Sequence, residues 1–344
     1  MKYVSYSVAS LLVFFLSCSP SDINTDINDP DPGNSSNPEF KWIVPSGDIN
    51  GSLNPFPLAL NPSLKKVGDV DFLADDALVA IISFGKEVRV YPYQYMNRFE
   101  SVNDEMDGIN FAMTYCPITK SGLCWDRNFR NEEFVIRASG YLYIDNLIAF
   151  DEKTDTYWSQ MLAKCIKGKY SGERNKTYNF IETTWKTVKE NFKNAKVFTS
   201  TSAGSKTASN KSDLTDAEGV YGILNPFFTP DLEKGEAVYF YRYELFENKT
   251  RIFTNRISNN DIVVVGNEDL HFISSFIVGD KDTFKAVQNL FPVVMEDAEN
   301  NKWDVFGVAV EGPRKGQQLE SLTGFVASWW AWQLFYDDYD ITIL

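Results

Sequence analysis

Residues 77–92 read Ala-Leu-Val-Ala-Ile-Ile-Ser-Phe, then Gly-Lys-Glu, then Val-Arg-Val-Tyr-Pro. Two runs rich in β-branched and aromatic residues around a short Gly-bearing turn predict a β-hairpin. A second such element follows. Ile109, Phe111, Met113 and Tyr115 alternate with Asn110, Ala112, Thr114 and Cys116, the two-residue period of a half-buried strand. Leu123 and Trp125 alternate in the same way with Cys124 and Asp126, and Glu133 to Ser139 and Leu147 to Phe150 give further short strands. One helix stands out: Thr184 is placed to cap it, and Trp185, Val188 and Phe192 form its apolar face. The predicted fold class is α+β, mainly β.

The C-terminal third echoes earlier landmarks. Trp158, Gly168, Gly172, Trp185 and Val197 match Trp303, Gly312, Gly316, Trp329 and Ile341 at nearly the same spacing, and Trp329, Trp332 and Tyr336 repeat the face Trp185, Val188 and Phe192. Asp151 and Asp297 precede their tryptophans at similar distance. This pattern predicts two diverged internal repeats, each a small twisted sheet or partial barrel with a Trp-bearing helix. The second copy has no cysteine corresponding to Cys116, so any chemistry there belongs to one copy.

The ends and joints read differently from the body. Residues 1–18 carry Lys2, an apolar run from Val4 to Leu16 that is too short to span a bilayer, and then Ser17-Cys18. They predict a lipoprotein signal peptide with Cys18 as the lipidated residue, and hence a bacterial cell-envelope protein whose contact with the membrane is its lipid anchor. Residues 19–41 are an acidic, disordered tether. The first repeat is assigned to 42–199, a low-complexity linker or loop to 200–218, and the second repeat to 219–344. The net charge of −14 argues against a nucleic-acid partner, which needs a basic footprint.

With Cys18 given to lipid, Cys116, Cys124 and Cys165 remain, an odd number for an exported protein. Cys116 sits in the densest group of reactive and turn-forming residues, Thr114-Tyr115-Cys116-Pro117-Ile118-Thr119-Lys120-Ser121-Gly122-Leu123-Cys124-Trp125-Asp126-Arg127. A working thiol needs partial exposure and nearby cations, hydroxyls or backbone donors. Thr119, Lys120, Arg127 and Tyr143 are the candidates to supply them. Three readings stand open: a reactive thiol, a disulfide with Cys124 across the turn, or a small buried filler. Glu100, Asn103, Asp104, Asp126, Ser139, Tyr143, Asn146, Asp151, Trp158, Ser159 and Gln160 are the polar and aromatic landmarks of a candidate binding pocket around it.

These residues carry a resemblance. TYCPITKSGLCWDR, with ESVND at 100–104 and SGYLYIDNLIAFDEKTDTYWSQ at 139–160, resembles the bacterial DUF3179 family, for which no activity is established. The likeness runs from about Val67 to Val197 and more faintly to the Trp-Trp-Ala-Trp helix near the end. Many members have a second cysteine where this chain has Thr119, and a histidine where it has Phe99. The resemblance therefore points toward thiol chemistry while removing a resolving thiol and a metal ligand.

Phosphate-loop, dinucleotide, zinc-helix and nucleophile-elbow motifs are lacking, so no cofactor is implied. The single histidine, His271, reads as a packed or surface residue, not a ligand. The leading expectation is a thiol-dependent activity, redox or covalent capture, at Cys116. The alternatives are a non-catalytic binding module for a small molecule, peptide or glycan, and metal binding through Cys116 with Glu100 or Asp104.

Overall fold

The structure, a computed structural model, describes residues 40–199, 218–224, 238–257, 259–280, 282–336 and 342–343. The targeting segment with Cys18, the tether up to residue 39 and all but the last residue of the 200–218 linker lie outside the described residues.

The first hairpin pairs β1 (Leu78–Phe84) with β2 (Glu87–Pro92). Pro92 has no N–H to donate, so the ladder ends there and α1 (Tyr93–Phe99) begins. A meander follows of β3 (Ser101–Met106), β4 (Ile109–Cys116) and β5 (Ser121–Asp126). A second is made by β6 (Ile136–Tyr143), β7 (Asn146–Asp151), β8 (Thr156–Ser159) and β9 (Lys164–Lys167). β10 (Thr177–Tyr178) joins β5, and β11 (Ile181–Thr184) joins β1. α2 (Trp185–Asn191) starts where expected: Thr184 Oγ1 accepts the N–H of Thr187 at 3.3 Å, and Trp185, Val188 and Phe192 are buried. β12 (Lys196–Phe198) then lies parallel to β2. The sheet orders are β11-β1-β2-β12, β10-β5-β4-β3 and β6-β7-β8-β9, with Leu64–Lys66 and Ile49–Gly51 as extra edge strands.

The later strands are β13 (Gly219–Leu224), β14 (Val238–Arg242), β15 (Arg251–Ile257), β16 (Asn260–Asn267) and β17 (Phe272–Val278). They continue with β18 (Phe284–Ala286), β19 (Val293–Asp297), β20 (Lys302–Asp304), β21 (Ala309–Glu311), β22 (Glu320–Ser321) and β23 (Gly324–Ser328). α3 (Trp329–Phe335) and β24 (Thr342–Ile343) close the chain. Their sheets run β23-β13-β14-β24, β22-β17-β16-β15 and β18-β19-β20-β21, the same neighbour order strand for strand. β24 is parallel to β14 as β12 is to β2, and register breaks fall at Trp158 and at Trp303. The protein is mainly β, with three seven-residue α-helices among the described residues.

The two largest hydrophobic clusters each draw on both series of sheets. Val79, Ile81, Val90 and Trp185 pack with Val263, Val265, Phe272 and Trp303. Phe111, Trp125 and Trp158 share a cluster with Phe325 and Trp332. Burying a large apolar side chain contributes roughly 1.5–3 kcal/mol, so this shared interior dominates the energetics. Residues from Phe40 onward accordingly form one compact unit.

Two local expectations change. β4 and β5 are not half-buried; both faces are covered, because the hairpin lies between other layers. On one side Tyr93 and Phe180 approach Gly122 so closely that a Cβ there would meet them at 3.3 and 3.2 Å. On the other, Trp125 meets Trp158 edge to face at 6.2 Å. Asn103 and Asp104, whose residue types favour turns, lie within β3, since Ala112 and Phe111 supply ladder partners for them.

Candidate functional site

The turn Pro117-Ile118-Thr119-Lys120 returns the chain so that Cys116 faces Ser121. Side chains alternate along a strand, so Cys124, three residues past Ser121 and opposite Met113, lies on the other face. The disulfide between Cys116 and Cys124 is thereby ruled out, and Cys116, Cys124 and Cys165 are free and buried. Cys116 is 1% exposed, and its thiol points toward the carbonyl of Asp145 at 3.8 Å. Burial pushes its pKa up; Thr119 pulls the other way, and the carboxylate of Glu100 adds to the rise. The resting side chain is therefore a protonated thiol, contrary to the expectation of an accessible one. Burial likewise raises Cys165, to about 12, and Cys124.

Beneath it lies a connected polar network. Thr119 and Ser121 share a hydroxyl hydrogen bond of 2.8 Å. Asn146 Nδ2 donates to both, at 2.8 and 3.0 Å, and Gln160 Nε2 donates to Ser121 Oγ at 2.6 Å and to its carbonyl at 3.0 Å. Gln160 Oε1 is buried and accepts no hydrogen bond among the described residues. The loop that delivers Asn146 has only two residues, Ile144 and Asp145, with φ of 46° and 57°. That is the left-handed pattern of a tight hairpin, usually filled by Asn-Gly, and for a β-branched residue it costs on the order of 1–3 kcal/mol. Glu100, also left-handed at φ 52°, ends α1 beside the thiol, and burial raises its carboxyl to about 7.

Of the residues predicted from sequence, Cys116, Thr119, Glu100, Asn146 and Gln160 thus come together, with Tyr143 at the base of the same loop. Arg127 does not. It is six residues beyond Ser121, about 20 Å along the strand, and binds the Phe134 carbonyl at 2.7 Å and Glu133 at 2.8 Å. Asp126 accepts from Tyr178 Oη at 2.8 Å. Asn103 is a structural clamp, exchanging hydrogen bonds with Ile136 N and O at 2.8 Å each. Asp104 holds Arg89 and Tyr91, both at 2.7 Å, in a buried pair. It stands opposite Phe111, about 17 Å from Cys116 along the strand, so a metal site joining the two is corrected. Ser139 bonds the Ile148 carbonyl, Asp151 accepts from Val135 N and Thr154, and Trp158 Nε1 donates to Thr156. Ser159 accepts weakly from Leu162 N at 3.4 Å. His271 is buried, stacked on Tyr243, with Nε2 3.5 Å from Glu182. No cluster of three or more His, Cys, Asp or Glu suited to a metal ion occurs among the described residues.

A second feature was not foreseen. A cleft of about 800 Å³ opens at the far end of the same hairpin, lined by Ser83 and Phe84 of β1, the segment 174–179, and residues from 318 to 323. Thr177 and Thr323 bridge it through their hydroxyls at 2.7 Å. Asn175, 6% exposed, donates Nδ2 to the Asp126 carbonyl at 2.7 Å, and its Oδ1 accepts no hydrogen bond among the described residues. A carbonyl can only accept, so this bond fixes which end of the amide is the nitrogen. The available signal was the recurrence of Asn175, Thr177 and Asn179 at the two-residue period of a strand.

Comparison with known proteins gives a family and nothing finer. No curated protein and no solved structure matches the chain. Residues 54–339 match the family model described as a protein of unknown function, DUF3179, which extends the likeness well past Val197. With most of its length covered by that model, the chain belongs to the DUF3179 family.

Proposed function

We propose that this protein binds a small molecule in the cleft between the 174–179 and 318–323 segments. The observation that carries this reading is the cleft itself, about 800 Å³ and walled by both polar and aromatic residues, Asn175, Thr177, Phe84 and Tyr178 among them. The volume falls in the usual range for small-molecule sites. Ser321→Trp, on β22, fills the cleft and tests it. Compounds from a small-molecule library should raise the melting temperature of the wild-type chain and leave Ser321→Trp unmoved. If no compound stabilises the wild type, or the variant responds equally, the proposal fails.

A second reading keeps thiol-dependent chemistry at Cys116. It is supported by Glu100, whose carboxyl burial raises to about 7 and whose charge acts on the Cys116 thiol, a pKa suited to a proton acceptor near neutral pH. The lipid anchor at Cys18 and the envelope location belong to the same proposal and rest on the sequence of residues 1–18. So does descent from an internal duplication, supported by the common sheet order of the two series and by Trp158 and Trp303 at equivalent register breaks.

A further inference from the structure

We infer that the cleft takes a small anion with an apolar body, an ionised carboxylic acid; this deepens the binding reading above and rests on it. The whole chain carries a net charge of −14, yet the described residues lining the cleft include two bases, Arg174 and Lys176, and one acid, Glu320. The cleft is a positive concavity on an acidic protein, and such a cleft concentrates ions of the opposite sign. Lys176 is exposed, and its ammonium lies 4.7 Å from the centre of the Tyr178 ring, itself part of the wall. Lys164, next in sequence to the lining residue Ala163, pairs with Arg174 across an antiparallel bridge and is 3% exposed. Burial and the Arg174 charge lower the Lys164 amine to about 8. The two bases therefore repel, and an anion in the cleft relieves that repulsion.

The rest of the wall sets what the anion must carry. Phe84, Ile109, Ile277 and Val308 line the cleft and are each only partly buried. Phe84 meets Tyr178 edge to face at 4.9 Å, so aromatic surface runs up to the Lys176 ammonium. An apolar body removes such surface from water while its charged end stays beside the bases. Thr177 and Thr323 share one hydrogen bond between their hydroxyls, which uses one of the two hydroxyl hydrogens and leaves the other to donate. A carboxylate accepts from hydroxyls and ammonium groups alike. The excess of one positive charge among the described lining residues fits a monoanion better than a doubly charged phosphate ester, and an amine would meet like charge.

Isothermal titration of the full chain with hydrocinnamate, its neutral amide, phenylpropylamine and acetate tests this. The expected result is saturable binding of hydrocinnamate, about tenfold or more tighter than that of the other three. Lys176→Gln should weaken it about fivefold or more, and Ser321→Trp should abolish it. Lys176 is exposed, so its variant keeps the test valid if Ser321→Trp fails to fold. Binding of the amide or the amine as tight as that of hydrocinnamate, and abolished by Ser321→Trp, overturns the anion assignment and leaves the cleft as the site. Acetate binding as tightly as hydrocinnamate overturns the apolar body. Hydrocinnamate binding that neither variant affects overturns the assignment and the cleft together, since the site then lies elsewhere. No binding by any of the four overturns the assignment, while the melting screen above still judges the cleft.

Discussion

Cys116 stands opposite Ser121 on the β4–β5 ladder, and that single pairing puts its sulfur and that of Cys124 on opposite faces of one hairpin. The two are eight residues apart in sequence, yet the sheet lies between them. Both thiols are buried, and burial raises both. Treatment of the native chain with iodoacetamide at pH 7.5 should leave Cys116, Cys124 and Cys165 unmodified, and all three should label after unfolding without any reductant. Mass mapping that finds Cys116 linked to Cys124, or labelled rapidly in the native state, contradicts the burial described here.

Glu100 makes stability depend on pH in an unusual direction. Its carboxyl moves from 4.5 to about 7 on folding, because burial disfavours the charge. Between those values the folded state binds the proton more tightly, so stability is greatest below about pH 4.5 and falls as pH rises through 7. At 1.36 kcal/mol per unit the loss from this one group is on the order of 3 kcal/mol. Denaturant melts from pH 4.5 to 8 should show that decline, and Glu100→Gln should remove it and be the more stable protein at pH 8. A variant whose pH profile parallels the wild type would refute the assignment.

The shared interior predicts that neither series of sheets stands alone. Tyr336 Oη donates to the Met161 carbonyl at 2.8 Å and Ser328 N to the Thr119 carbonyl at 2.9 Å, tying the end of α3 and of β23 to the Cys116 end. Tyr336→Phe should cost about 1–2 kcal/mol, with one cooperative transition retained. A chain ending at residue 199 should show no cooperative melt at all, because Trp185 and Val79 lose the partners that bury them. Cooperative unfolding of that fragment would show that the shared clusters are dispensable.

The strands, the capped helix at Trp185 and the turn that sets Thr119 beside Cys116 were legible in the sequence, because they depend on local period and on turn chemistry, whereas Asn146 and Gln160 reach that turn from 25 and 39 residues away and were grouped with it only by the resemblance. Glycines and tryptophans at matched spacing raised the expectation of two repeats, which stays a proposal beside the common sheet order of the described strands. Burial of both faces of the hairpin was not legible, since alternation tells which residues share a face but not what covers it. The separation of Arg127 and Asp104 from Cys116 followed from strand register, a long-range choice that spacing alone leaves open. The cleft was furthest out of reach. Segments 174–179 and 318–323 are far apart in the chain, and only the packing of one series of sheets on the other brings their amides to a common wall.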